Sequence, residues 1–129
     1  MKYIVFVLIF VVLSAKAQRD SLVFEGNDVM VGELKELSRG VVTFETDYSD
    51  SDFKIDWIEV EEIYTEREFT INLSDRSLIT SARLRSIGGD SIRIVSPESE
   101  RIVSQEEIVY FRQLKKTFWS KLSASIGLW

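Results

Sequence analysis

The sequence predicts an all-β protein made of two small tandem units. Three observations predict it. Apolar and polar residues alternate over short runs, the period of a half-buried strand. Clusters of Gly, Asn, Asp and Ser separate the runs as turns would. The order of runs and turns in the first half recurs in the second. The chain has 129 residues, one Pro, no Cys and no His. That excludes disulfides, thiolate or imidazole nucleophiles, and zinc sites built on those ligands. Its 45% apolar content is too high for a disordered chain.

The elements follow in order. Ser21 to Glu25 (SLVFE) is a short β-rich run closed by the turn cluster Gly26-Asn27-Asp28. Val29 to Leu37 is a longer strand, and Ser38-Arg39-Gly40 turns it into the alternating Val41 to Thr46. Asp47 to Asp52 (DYSDSD) is a polar loop. Phe53 to Trp57 alternates again, and Val60 to Thr65 closes the unit. The second unit opens with Phe69 to Leu73 and turns at Ser74-Asp75-Arg76. It runs through a long strand from Ser77 to Ser86 and turns again at Gly88-Gly89-Asp90. Ser91 to Val95, a loop from Ser96 to Glu100 with the single Pro, then Arg101 to Val103 and Ile108 to Arg112 complete it.

The closing segments superpose residue by residue. Ile55-x-Trp57-x-x-Val60-x-x-Ile63 matches Val103-x-Gln105-x-x-Ile108-x-x-Phe111 at an offset of 48, and Leu34 and Phe44 match Leu84 and Ile94 at an offset of 50. Five short strands per unit is the size of a small SH3-like or Sm-like barrel. The expected organisation is therefore residues 18-66 as a first β repeat and 67-112 as a second. Neither unit is large enough to be comfortable alone, so the two are expected to pack together. Trp57 is expected to pack in the core or between the repeats.

The N-terminus reads as an address. Lys2 is a positive n-region, Tyr3 to Leu13 is an unbroken apolar run, and Ala15-Lys16-Ala17 before Gln18 is an A-x-A cleavage site. Residues 1-17 are therefore expected to be a secretory signal peptide; the apolar run is about half of what a membrane span needs. Export without Cys fits a bacterial periplasm or surface. Without residues 1-17 the chain carries 14 basic and 21 acidic residues, and all the acids fall between Asp20 and Glu107. An acidic body of this kind disfavours nucleic acid as a partner, because nucleic-acid affinity rests on cations that neutralise phosphates.

From Phe111 onward there are four basic residues and no acid. In Trp119 to Trp129 (WSKLSASIGLW), Leu122, Ala124, Ile126 and Leu128 share one face and small or polar residues share the other. This is the dyad pattern of a membrane β-strand. Phe118 and Trp119 stand where an interfacial aromatic girdle would begin. Phe118, Trp119, Leu122, Ile126 and Leu128 are thus the candidate membrane contacts. A basic amphipathic helix on Leu114, Phe118, Leu122 and Ile126 and an ordinary edge strand are open alternatives.

Few residues suggest chemistry. Asp47, Asp50 and Asp52 offer oxygen ligands for calcium, but their spacing does not match an EF-hand loop. The stretch reads instead as a solvated hairpin loop whose Asp and Ser cap local backbone groups. Glu59, Glu61, Glu62, Glu66 and Glu68 would need to flank a cleft at a set separation to act as a catalytic pair. A solvated face is the simpler reading. No catalytic residue, cofactor or small-molecule substrate is expected.

Leu22-Val23-Phe24-x-x-x-Asp28, Gly32-Glu33, Gly40, Thr46 to Ile55 (TDYSDSDFKI), Trp57 and Ile63 resemble the N-terminal region of the bacterial salt-induced outer-membrane protein family, a family without an assigned activity. Phe118-Trp119-Ser120-x-Leu122-Ser123-x-Ser125 resembles the opening of that family's membrane barrel. The resemblance implies a periplasmic β module ahead of a barrel that this chain lacks. The expected function is that of a non-enzymatic exported interaction module, the periplasmic part of an outer-membrane-type protein, docking another envelope component by strand addition. The alternative is a soluble periplasmic module that binds a small ligand or cation through its acidic loops.

Overall fold

The computed structural model describes residues 19–114. The candidate cleavage residues Ala15, Ala17 and Gln18 and the candidate membrane contacts Phe118, Trp119, Leu122, Ile126 and Leu128 lie outside the described residues. Ten strands form, and the only helical pieces among the described residues are three single 3-10 turns. The first five strands are β1 (Asp20–Phe24), β2 (Val29–Ser38), β3 (Val41–Glu45), β4 (Phe53–Asp56) and β5 (Val60–Tyr64). The second five are β6 (Phe69–Leu73), β7 (Leu78–Gly88), β8 (Ser91–Val95), β9 (Glu100–Ser104) and β10 (Ile108–Gln113).

The two sets pair by the same scheme. β1 pairs with β2 and β5, and β6 pairs with β7 and β10. β2, β3 and β4 form a meander, as do β7, β8 and β9. Each closing strand then crosses to the other set. Tyr64 of β5 lies opposite Arg85 of β7, while Phe111 and Arg112 of β10 lie opposite Leu37 and Glu36 of β2. All these pairings are antiparallel. A ring of six strands results, β1-β5-β7-β6-β10-β2 and back to β1, with the hairpins β3–β4 and β8–β9 hung from β2 and β7. The architecture is all-β and barrel-forming, as the alternation predicts, and one barrel is shared by both units. A unit alone would contribute only three ring strands and leave two of their edges unpaired.

β2 and β7 carry the shape. Residues 29–32 of β2 pair with β1, and residues 33–38 pair with β3. Residues 78–82 of β7 pair with β6, and residues 83–88 pair with β8. Each long strand thus turns from one sheet into the other, at Gly32/Glu33 and at Ala82/Arg83. At the first corner the backbone passes so close to β3 that a Cβ on Gly32 would overlap the Glu45 carbonyl oxygen. The Arg39–Gly40 turn has positive φ at both residues, 53° and 77°, the two-residue hairpin geometry that matches strand twist.

Inward residues from both units form one core. Leu22, Leu34, Phe44 and Ile63 meet Phe69, Ile71, Leu84, Ile94 and Phe111, all essentially without solvent contact. Phe111 packs in T-shaped geometry with two other rings, Phe69 at 5.4 Å and Trp57 at 5.7 Å between centroids. Trp57 and Gln105, which stand 48 residues apart, bond each other across the middle. The Trp57 indole Nε1–H donates to the Gln105 carbonyl (3.2 Å). The Gln105 side-chain amide donates to the Trp57 and Val60 carbonyls (2.8 and 3.0 Å).

One charge is wholly buried. The Asp20 carboxylate accepts from the Leu34 and Glu66 backbone N–H groups (2.9 and 3.0 Å) and pairs with Arg67 Nη1 at 2.8 Å. It joins β1, the corner of β2 and the β5–β6 connection. Replacing Asp20 with Ala strands a largely buried guanidinium, and the expected loss of unfolding free energy is about 3 kcal/mol. Replacing Gly32 with Ala drives a methyl group into backbone, and the expected loss is about 2–3 kcal/mol. Urea titration of the two variants checks both values.

Candidate docking site

The sequence-predicted acidic loop does not assemble a cation site. Asp47 pairs with Arg19 Nη2 at 2.9 Å, and Asp52 pairs with Lys35 Nζ at 3.2 Å. Lys35 also reaches Glu45 at 2.9 Å. These contacts raise both cations above their ordinary pKa, Arg19 chiefly through its hydrogen bond to Asp47 and Lys35 chiefly through Glu45. Asp50 is exposed, and the Ser49 hydroxyl bonds within the loop to the Ser51 backbone. Among the described residues no three carboxylates converge as a metal site would require. The glutamate run is dispersed as well. Glu59 and Glu61 face solvent, Glu62 accepts from the Tyr64 hydroxyl, Glu66 accepts the Arg19 backbone N–H, and Glu68 lies 3.7 Å from Arg83.

The same loop forms one wall of an apolar concavity of about 600 Å³. It is lined by Val29, Met30 and Val31 of β2, Phe53 of β4, Tyr48 of the loop, and Arg19 and Thr46. Tyr48 is 96% exposed and Val29 58%. Sequence reading places Tyr48 inside a polar loop and gives it no role. Its neighbours in space come from a strand that starts nineteen residues earlier, so no local pattern reveals the cluster. The corresponding corner of the second unit, between Leu78 to Ser81 and Ser96 to Ser99, is smaller, about 190 Å³, and predominantly polar.

The free sheet edges sharpen this contrast. β4 bonds only β3, and β9 bonds only β8. Along β9 the margin is charged: Glu98, Arg101 and Glu106. The matching positions along β4 are Tyr48, Phe53 and Ile58, and Ile58 is 85% exposed. β9 is also strapped from the side. Arg101 reaches across to Asp75 (2.6 Å) and the Ser77 hydroxyl (3.1 Å), and Arg93 pairs with Glu100 at 2.8 Å. Charges and crossing side chains are how proteins block unwanted strand pairing. At these three matched positions the β9 margin has them and the β4 margin presents apolar side chains; between them β9 exposes Ile102 (56%), whereas β4 carries the exposed charges Lys54 and Asp56.

Asp75 anchors the strap. Hydrogen bonds from Ser77, then from Arg101, hold its carboxyl well below the usual carboxylate range. A depressed folded-state pKa contributes stability above the unfolded value and loses it as pH falls toward the folded value. Asp75→Asn is therefore expected to melt lower than the parent at neutral pH. The gap should narrow below about pH 4, where carboxylates in the unfolded chain protonate. Melting curves of both proteins across this range check the sign.

No protein-family model matches the chain. No curated protein and no solved structure matches it either.

Proposed function

We propose that this chain is a non-enzymatic module exported to the envelope of a Gram-negative bacterium, the periplasmic part of an outer-membrane-type protein, and that it docks an envelope polypeptide along the β4 margin. The observation that carries the docking reading is the contrast between the two free edges: Tyr48, Phe53 and Ile58 stand where Glu98, Arg101 and Glu106 guard the other side. An exposed strand edge beside an apolar concavity suits strand addition, with backbone bonds for affinity and side-chain sockets for specificity. The export reading rests on Lys2, the apolar run to Leu13 and the Ala15-x-Ala17 site. The matching pairing schemes of strands β1–β5 and β6–β10 support reading the two halves as an internal repeat. Partition of Asp47 and Asp52 between separate cations leaves the cation-binding alternative without support from that loop.

Expression in a Gram-negative host tests both parts. The product is expected in the envelope fraction with Gln18 as its first residue. A photo-crosslinking residue at position 48 is expected to trap an envelope polypeptide, and the same residue at position 98 is expected to trap none. An uncleaved cytoplasmic product overturns export; equal trapping at the two positions, or none, overturns the docking margin.

A further inference from the structure

We infer that the partner added at the β4 margin is a second copy of this chain, joined to the first by antiparallel β4–β4 pairing about a two-fold axis at Ile55. The inference rests on the docking reading above and names the partner of that same edge.

Backbone geometry selects the register. The Trp57 N–H bonds the Gly40 carbonyl at 2.8 Å, and β4 continues opposite β3 without a bulge, Asp56 facing Val41 and Phe53 facing Phe44. Bonding alternates along an antiparallel pair. Phe53 and Ile55 therefore spend their backbone groups on β3, while Lys54 and Asp56 direct theirs to the open edge. An added strand must bond through those two residues.

Charge then chooses between the ways two copies can meet. A two-fold axis at Lys54 would oppose Lys54 to Lys54, and an axis at Asp56 would oppose Asp56 to Asp56. An axis at Ile55 opposes Lys54 to Asp56 twice, with Ile55 against Ile55. Opposite charges directly across a strand pair stabilise it and like charges destabilise it. The flanks match in the same register. The loop that carries Tyr48 precedes β4 and the turn that carries Ile58 follows it, so each copy brings its exposed Tyr48 toward the Ile58 end of the other. The same patch on both partners, contacting itself residue for residue, is the signature of an isologous dimer. β9 lacks this property, because Ile102 and Ser104 stand where β4 has Lys54 and Asp56.

Sedimentation equilibrium of the purified mature protein tests the inference. The parent is expected to approach twice the chain mass with rising concentration. Lys54→Asp and Asp56→Lys should each weaken the dimer about tenfold or more, because each turns two attractive pairs into repulsive ones. An equimolar mixture of the two variants should regain parental affinity. In the mixed dimer the two carboxylates of the first variant face the two ammonium groups of the second, so both cross-strand pairs are attractive again. That recovery also shows that both variants are folded. Tyr48→Glu with Ile58→Glu should give a monomer. A monomeric parent at all concentrations overturns the inference, as does a dimer indifferent to these changes. Crosslinking from position 48 separates this failure from the wider one. An adduct with a different envelope polypeptide, beside a monomeric parent, overturns self-pairing alone, and no adduct of any kind overturns the docking margin itself.

Discussion

Everything in this barrel depends on where β5 and β10 find their second neighbour. Each has one partner within its own half, β1 or β6, and an edge that must be bonded or hydrated. Tyr64 meets Arg85 of β7, and Phe111 meets Leu37 of β2. These two crossings close the ring, and closure removes edges that would otherwise stand open beside an apolar face. The same crossings bring Phe111 against Trp57 and Phe69, rings drawn from both halves. One core then serves about a hundred residues, where two separate cores would each be too small to offset the entropy of ordering their chain.

Polar groups at the seams are satisfied in parallel ways. Where β2 leaves β1, the Leu34 N–H is taken by the buried Asp20 carboxylate and its carbonyl accepts from the Gln113 amide. Where β7 leaves β6, the Leu84 N–H is taken by the Thr65 hydroxyl and its carbonyl accepts from the Thr65 N–H. The two halves answer the same backbone demand with different side chains. They differ most at the strand starts. Asp20, held by Arg67, opens β1, while Phe69, packed on Phe111, opens β6. A buried ion pair and a buried ring thus occupy comparable places. The ion pair contributes specificity of position, because its oxygens also bond two separate backbone segments.

The outer margins differ for another reason. The hydrogen bonds of β3–β4 and β8–β9 impose the same requirement on both hairpins, but nothing in folding requires their free edges to differ. Yet Glu98, Arg101 and Glu106 stand along β9, with Arg101 strapped to Asp75, where Tyr48, Phe53 and Ile58 stand along β4 beside the charged Lys54 and Asp56. With the second margin as an internal reference, the first stands out as apolar surface without a folding duty.

The sequence by itself determined the strands. All ten lie within two residues of the runs read from alternation and turn clusters, because a half-buried strand must alternate and a tight turn needs residues such as Arg39–Gly40 that accept positive φ. It also exposed the offset of 48 that brings Trp57 to Gln105. Tertiary structure alone decided how the strands join. Alternation reports which face of a strand is buried and says nothing of which strand lies beside it, so five-stranded units and a shared ring of six are equally consistent with the pattern. The buried charge of Asp20 was likewise invisible, since an acid before an apolar run reads as a solvated start until Arg67 and the Leu34 N–H arrive from 47 and 14 residues away. The acidic loop shows the same limit: Asp47, Asp50 and Asp52 are neighbours in sequence, but pairing with Arg19 and Lys35 is a matter of space.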